Sequence, residues 1–343
     1  MKPRVLVIGG GALGAVIAAR LTRLGHDVTV LDAHQEHVAA MKHPGLDVSL
    51  VGERVVIPLT AVSRVEDLRG EFDFGLVTLK APFIAPALEP LVARGGVRDF
   101  VSLGNGLIQE GIARIVGAER LLIGTVSWGA TNHGPGRVSQ TTIAPFSLGE
   151  LDGSMSDRLT SLGDVLSDVA EVHYTDNIQG QVWAKLLLNS TFSGLSVATG
   201  LVYGDVMSLP NGPTVAMALW TEGFQIACAR GLSLDVVAGV HPRDIAVLSP
   251  ADVSTSRSAI ERLMVSLGPT KASMLQDVEK GGKTEVDVIN GGVGAAARQL
   301  GVPSPMNDAI VQMVHSFEHG SVKPSIQHLE SLVALGRTLL PAN

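Results

Sequence analysis

The feature that most constrains the fold is a glycine-rich turn near the N-terminus, set between two apolar runs. Val5–Ile8 is typical of a buried strand and leads directly into a G-x-G-x-x-G motif. A helical pattern follows, and a second apolar run, Val28–Leu31, ends at Asp32. This order predicts a β-α-β unit whose glycines allow a tight turn, approach to a pyrophosphate and close helix packing. The predicted dinucleotide contacts in the turn are Gly9, Gly10, Gly11, Ala12, Leu13 and Gly14.

Asp32 makes the cofactor prediction more specific. An acid at the end of the second strand accepts hydrogen bonds from the adenosine ribose of NAD and repels the 2′-phosphate of NADP. Ala33, which follows it, supplies no positive charge. The alternative is that Asp32 caps a helix beginning near His34, since aspartate is a favoured N-cap. We therefore expect NAD(P)H as the cofactor, with NADH favoured over NADPH.

Polar residues follow two further predicted strands of the first half. Phe74–Leu79 ends at Lys80, and Phe100–Leu103 is followed by Asn105 between two glycines. The carboxyl ends of parallel strands line the ligand crevice of an open α/β sheet. Lys80 and Asn105 are therefore predicted cofactor contacts. Ala130 is a further predicted cofactor contact. The alternatives are a solvated loop lysine and a turn asparagine.

The pattern changes after position 125. Arg137–Ile143 and Phe146–Gly149 are typical of short antiparallel strands around a turn at residues 133–136. A helix at about 154–170 and a strand at Glu171–Tyr174 would complete the first domain. From residue 176 the chain is predicted to be almost entirely helical. The predicted fold is an α/β Rossmann domain at 1–175, with a doubly wound, mostly parallel sheet, followed by an all-α helical domain at 176–343.

Composition excludes several classes of function. The 343 residues are 45% hydrophobic but only 4% aromatic, as aliphatic α/β cores require. The net charge of −7 argues against a nucleic-acid partner. No apolar run reaches about 18 residues, and the glycines arrive too early for a signal peptide. One cysteine, Cys228, excludes an intrachain disulfide and suits a reducing cytoplasm. The histidine spacing predicts no metal site, while monomer and homodimer both stay open.

The helical half carries one polar stripe on a largely apolar helix. Lys185 and Asn189 are four residues apart, and Ser193 is one further step. That spacing places an ammonium, an amide and a hydroxyl on one helix face. Burying a lysine is costly without a purpose, although a lysine at the helix edge can extend to water. Taken alone, Glu285 in Thr284–Asp287 would be an ordinary exposed acid.

Several segments along the chain carry a family resemblance: residues 9–14, 76–81, 104–106, 183–189, 273–281, 284–291, 301–305 and Asn307. Taken together, these segments resemble the ketopantoate reductase family over nearly the whole chain. The resemblance implies a Rossmann domain and a helical domain with the active site in the cleft between them. It also implies that Lys185 is the general acid, and that Glu285 lies near the reacting centre and the cofactor. Asn105 and Lys80 would contact cofactor and substrate, and Ser273 would hold the substrate carboxylate.

The departures from the family pattern fall around the substrate and the cofactor. Ser193, Tyr203 and Thr270 stand where the family usually has asparagine, and Ala33 stands where it has a base. We expect NAD(P)H-dependent reduction of a 2-oxo acid, 2-dehydropantoate or a close analogue. The alternatives are an NAD-dependent D-2-hydroxyacid dehydrogenase of the same family, acting on a branched or aromatic 2-oxo acid, and a non-catalytic NAD(P)-binding sensor. The predicted substrate contacts are Asn105, Lys185, Asn189, Ser193, Tyr203, Thr270 and Ser273.

Overall fold

The structure is a computed structural model that describes residues 2–341. The chain divides into two compact units. The first runs through Gly104 and resumes at Ile108–Ile178, while the second comprises Asn105–Leu107 and everything from Gln179 onward. The boundary predicted after residue 175 falls just before Ile178. The short segment Asn105–Leu107 packs with the second unit although it follows a strand of the first.

The first unit is built on strands connected by helices. Its strands are β1 (Val5–Ile8), β2 (Val28–Leu31), β3 (Leu46–Leu50), β4 (Glu53–Ile57), β5 (Thr60–Val62), β6 (Phe72–Val77), β7 (Val97–Ser102), β8 (Leu121–Val126), β9 (Ala130–Asn132), β10 (Arg137–Gln140), β11 (Phe146–Glu150) and β12 (Val172–Tyr174). Its helices are α1 (Ala12–Arg23), α2 (Gln35–Ala40), α3 (Ile84–Arg94), α4 (Gln109–Val116) and α5 (Asp157–Ser167).

Eight strands form the main sheet in the order β12-β11-β8-β7-β6-β1-β2-β5, with β8 and β11 the antiparallel pair. All four residues of β1 are buried, as expected for a central parallel strand covered on both faces. The chain order reverses at β1, which places the carboxyl end of β1 at the ligand-binding edge. The predicted Rossmann domain is confirmed.

Four strands form a second sheet in the order β4-β3-β10-β9, and α1 packs against it. Here one part of the sequence prediction is wrong. The hairpin around residues 133–136 joins β9 to β10, whereas β11 pairs with β8 in the main sheet. Both edges of β10 are already paired, with β3 and β9. The side chains of Phe146 and Leu148 are fully buried in the main core, which draws β11 away from the hairpin.

The second unit is helical. α9 is its central helix, buried on nearly every side and centred on Trp220. No helix within residues 2–341 has the length and apolar character that crossing a bilayer requires. The helices are α6 (Ile178–Leu188), α7 (Gly194–Thr199), α8 (Tyr203–Ser208), α9 (Gly212–Ala229), α10 (Pro242–Ile245), α11 (Asp252–Leu267), α12 (Ser273–Glu279), α13 (Asn290–Leu300), α14 (Pro305–Glu318) and α15 (Gln327–Leu339).

Candidate functional site

The glycine turn of the first unit has the shape that a pyrophosphate requires. Gly9 has φ +100°, and its carbonyl accepts a hydrogen bond from Thr78 Oγ1 at 2.7 Å. A Cβ at Gly14 would lie 2.0 Å from the Gly9 carbonyl oxygen, so only glycine fits there. A Cβ at Gly11 would point into open space among the described residues. Since Gly11 is the N-cap of α1, that space lies at a helix N-terminus, where anions bind. The turn therefore fits a dinucleotide.

Asp32 is held by two backbone amides. Its Oδ2 accepts from the N–H of Gly10 at 2.8 Å, and its Oδ1 accepts from the N–H of His34 at 2.9 Å. The interpretation of Asp32 as the cap of α2 is wrong, because His34 is the N-cap and its Nδ1 accepts from the His37 N–H. Carboxylate oxygens have lone pairs for further donors. Asp32 thus keeps acceptor capacity at the end of β2.

The other predicted contacts of the first unit lie after its strands. Lys80 is exposed and follows β6, whose end pairs with β1 at Ile8. Ala130 is half-buried and begins β9. Ala12 and Leu13 open α1 and are half-buried. The parallel pairing of β1 and β6 places Lys80 on the same sheet edge as the glycine turn, whereas Ala130 belongs to the second sheet.

The second unit brings together three residues that are far apart in the sequence. Lys185 on α6 is half-buried, and burial lowers the pKa of its ammonium from 10.5 to about 8, although the charge of Glu285 opposes the shift. Glu285 is only 7% exposed, and its Oε2 accepts from Asn105 Nδ2 at 3.2 Å. Taken alone, Glu285 is predicted to be an exposed acid, whereas the family resemblance implies that it lies near the reacting centre. The structure buries it.

Backbone contacts hold Asn105 and Glu285 in place. The N–H of Leu107 donates to the Val288 carbonyl at 2.9 Å. Gly106 has φ +76°, and a Cβ there would lie 2.4 Å from that same carbonyl oxygen, so glycine is required for the approach. On the other side of Glu285, the N–H and the hydroxyl of Thr284 both donate to Glu318 at 2.7 Å. The turn that carries Glu285 is therefore fixed from both ends.

α6, which carries Lys185, is followed directly by a π-turn at Asn189–Ser193, which changes the regular helical spacing. Asn189 is half-buried, but Ser193 is buried and its Oγ lies 2.7 Å from the Tyr203 hydroxyl. The predicted stripe thus continues through Lys185 and Asn189, while Ser193 turns towards Tyr203. The N–H of Tyr203 donates to the Thr270 carbonyl at 3.1 Å. Ser193, Tyr203 and Thr270, the three positions that lack the asparagine of the family the chain resembles, are therefore joined by direct contacts.

Thr270 and Ser273 are both exposed, and Ser273 is the first residue of α12. Their roles as substrate contacts stay predictions. No group of three or more His, Cys, Asp or Glu side chains within residues 2–341 is arranged to hold a metal ion.

Sequence reasoning missed a buried polar network that supports the π-turn. Asn290 Nδ2 donates to the Ser190 carbonyl and to Asn307 Oδ1, both at 2.9 Å. Asn307 Nδ2 donates in turn to Glu222 at 2.8 Å, and the amides of Met306 and Asn307 donate to the same carboxylate. A single acid inside the apolar helix α9 was the available signal, because such a group is retained only with partners.

Comparisons with known proteins identify the family of the chain. The family model "Ketopantoate reductase PanE/ApbA" matches residues 5–153, and "Ketopantoate reductase PanE/ApbA C terminal" matches residues 177–318. The 2-dehydropantoate 2-reductase of Mesorhizobium japonicum is 26% identical, over 91% of this chain and 96% of the relative. The 2-dehydropantoate 2-reductase of Archaeoglobus fulgidus is also 26% identical, over 92% and 98%.

Solved structures show the same fold. The ternary structure of D-mandelate dehydrogenase with NADH and anilino(oxo)acetate matches with a TM-score of 0.78 and 24% identity, over 92% of this chain and 99% of that chain. A PanE/ApbA family ketopantoate reductase from Ralstonia eutropha JMP134 matches with the same TM-score, identity and coverage.

Proposed function

The chain belongs to the ketopantoate reductase family and is an oxidoreductase acting on CH–OH groups, and we propose that it reduces a 2-oxo acid with NAD(P)H. The substrate in this proposal is 2-dehydropantoate or a close analogue, and the product is the 2-hydroxy acid. The observation that carries the proposal is the group of Lys185, Glu285 and Asn105. An ammonium with a lowered pKa beside a buried carboxylate is a poised proton donor.

In the proposed mechanism, the first unit binds the dinucleotide through the glycine turn and Asp32. The bound dinucleotide supplies the hydride. Lys185 stabilises the negative charge that develops on the carbonyl oxygen and then gives that oxygen a proton. Glu285 holds the ammonium in its charged form, and its contact with Asn105 orients both side chains.

The substrate would be held by groups of the second unit. The Ser273 hydroxyl would donate to the carboxylate, and Asn189 would orient the keto group from the turn of helix beyond Lys185. Thr270, Ser193 and Tyr203 would contact the rest of the substrate. Hydroxyl and amide donors suit a carboxylate because charge-assisted hydrogen bonds are the strong ones.

The deciding experiment is an assay of NADH and NADPH oxidation against a panel of 2-oxo acids that includes 2-dehydropantoate. Turnover of a 2-oxo acid that disappears in Lys185→Ala supports the proposal. Tight dinucleotide binding without turnover of any 2-oxo acid would contradict it and indicate a non-catalytic sensor.

A second candidate is an NAD-dependent D-2-hydroxyacid dehydrogenase of the same family, acting on a branched or aromatic 2-oxo acid. It is favoured by the buried Ser193–Tyr203 contact and by the Phe192 ring, which lies 5.9 Å from the Tyr203 ring. These groups are more apolar than the asparagines of the family pattern. A higher kcat/KM for phenylglyoxylate than for 2-dehydropantoate would select it.

A further inference from the structure

A buried histidine joins the glycine turn to the second sheet of the first unit. His37 on α2 is 4% exposed. Its Nε2 lies 2.6 Å from the Gly10 carbonyl oxygen, and its Nδ1 accepts from the Gly136 N–H at 2.8 Å. Because a backbone N–H can only donate, Nδ1 carries no proton here. Nε2 therefore carries the proton and donates to the Gly10 carbonyl, which makes His37 a neutral imidazole of one tautomer.

The hairpin between β9 and β10 is shaped to reach this histidine. Gly136 has φ +70°, and a Cβ there would lie 2.6 Å from the Cβ of Ala40 on α2. Only glycine allows the hairpin to come this close to the helix. The second sheet thus has an identifiable contact with the glycine turn, made through one imidazole ring.

The hydrogen bond to the Gly10 carbonyl has a consequence on the other side of the same peptide. The carbonyl of Gly10 and the N–H of Gly11 belong to one planar trans unit and point in opposite directions. Holding the carbonyl at His37 directs the Gly11 N–H away from α2, and hydrogen bonding at the oxygen strengthens that N–H as a donor. Asp32 holds the preceding peptide through the Gly10 N–H. Both peptides that flank Gly10 are therefore fixed by side chains.

We propose that His37 is a positioning residue of the dinucleotide site, which aims the Gly11 N–H at the pyrophosphate through the Gly10–Gly11 peptide. The proposal rests on dinucleotide binding by the first unit and is independent of which 2-oxo acid is reduced. Preorganised donors bind more tightly because the ordering cost is met before the ligand arrives.

The test uses three substitutions of His37 in the full chain and measures the Kd of NADH by fluorescence titration, with the melting temperature recorded in parallel. His37→Gln places an amide nitrogen near the position of Nε2 and keeps the donor to Gly10. His37→Asn places an amide oxygen near the position of Nδ1 and keeps only the acceptor for Gly136. His37→Leu removes both. We expect Leu and Asn to raise the Kd about tenfold and Gln to stay within about threefold of the parent.

The matched control is His26→Gln. His26 is also buried in the first unit, where its Nε2 lies 2.6 Å from Asp168, but it precedes β2 at the opposite edge of the sheet from the glycine turn. It should lower the melting temperature without changing the NADH Kd. A purely structural role for His37 predicts the same behaviour for both histidines, and that result would overturn the proposal.

Two further outcomes are decisive. Equal Kd values for the Gln and Asn variants would overturn the proposal, because only Gln keeps the donor to the Gly10 carbonyl. This comparison holds even if the Leu variant does not fold, since Gln and Asn differ in size by only one methylene. A parent that binds neither NADH nor NADPH would overturn the dinucleotide site together with the role of His37. A parent that binds NADH but reduces no 2-oxo acid would overturn only the proposed reaction.

Discussion

The two units build their sites in different ways. In the first, the glycine turn, Asp32 and His37 lie within one stretch of the chain, and backbone groups are the main parts of the site. In the second, Asn105, Lys185 and Glu285 come from distant parts of the sequence and meet through side chains. A backbone site is specified by local conformation, whereas a side-chain site depends on packing. The two sites should therefore be separable by mutation.

Lys185→Ala is expected to give the largest difference between the effect on kcat and the effect on the Kd of NADH. This change should lower kcat by roughly 10²-fold or more, because it removes both the proton donor and the charge that stabilises the developing oxyanion. The Kd of NADH should stay within twofold or so of the parent, since the glycine turn and Asp32 are untouched. Steady-state kinetics and fluorescence titration measure the two quantities. An unchanged kcat would mean that another group donates the proton.

Lys185→Met tests how the buried ammonium affects the stability of the protein in the absence of substrate. The folded pKa of about 8 lies below the ordinary 10.5, so the unfolded chain binds more protons between these values and the stability of the parent rises with pH there. Below about pH 8 the buried ammonium is charged in the folded state, and it then lowers the free energy of unfolding by its full amount. The Met variant should be more stable at pH 7 by roughly 1–3 kcal/mol, and its advantage should fade towards pH 10.5.

Urea denaturation of the parent and the Met variant at several pH values measures this difference. Lys280→Met, at an exposed lysine of the same unit, is the matched control. If the stability difference between Lys185→Met and the parent stays constant with pH, burial does not lower the pKa of the Lys185 ammonium.

We expect the first unit alone to determine the preference between NADH and NADPH. We expect the parent to prefer NADH, and Asp32→Ser combined with Ala33→Arg to shift the ratio of kcat/KM towards NADPH by about tenfold, because arginine offers a fork of donors to a phosphate. Ala33→Arg alone is the control, since it keeps the Asp32 bond to the Gly10 N–H. A parent that prefers NADPH tenfold would mean that Asp32 serves only to hold the turn.

The smallest effect is expected for Tyr203→Phe, which keeps the ring and removes one buried hydrogen bond. Unfolding free energy should fall by about 1 kcal/mol, since the Ser193 hydroxyl loses its 2.7 Å partner. The relative kcat/KM for small and aromatic 2-oxo acids should change, while the Kd of NADH should not. Identical substrate preference in the variant would place Tyr203 outside the substrate site.

The sequence alone predicted the first β-α-β unit, whose signals are local, although it paired the segment of β10 wrongly with that of β11. The run from Val5 to Asp32 carries its own strand, turn and helix signals, so the β-α-β unit and the order of the domains could be read directly. The spacing of Lys185 and Asn189 placed both on one face of one helix. Glycine is required at Gly14 for a steric reason that the motif already expresses.

Only the tertiary structure decided which distant groups meet. β4 is largely exposed, and β3 pairs with the distant strand β10, so the pattern along the chain did not predict the second sheet. Three kinds of contact join residues from separate elements. They are the bond of Asn105 to the buried Glu285, the contact of Ser193 with Tyr203, and the two hydrogen bonds of His37. Hydrogen bonds across packed elements leave no periodic signal along a chain. The side chains that carry chemistry were therefore visible in the sequence, but their partners were determined by packing.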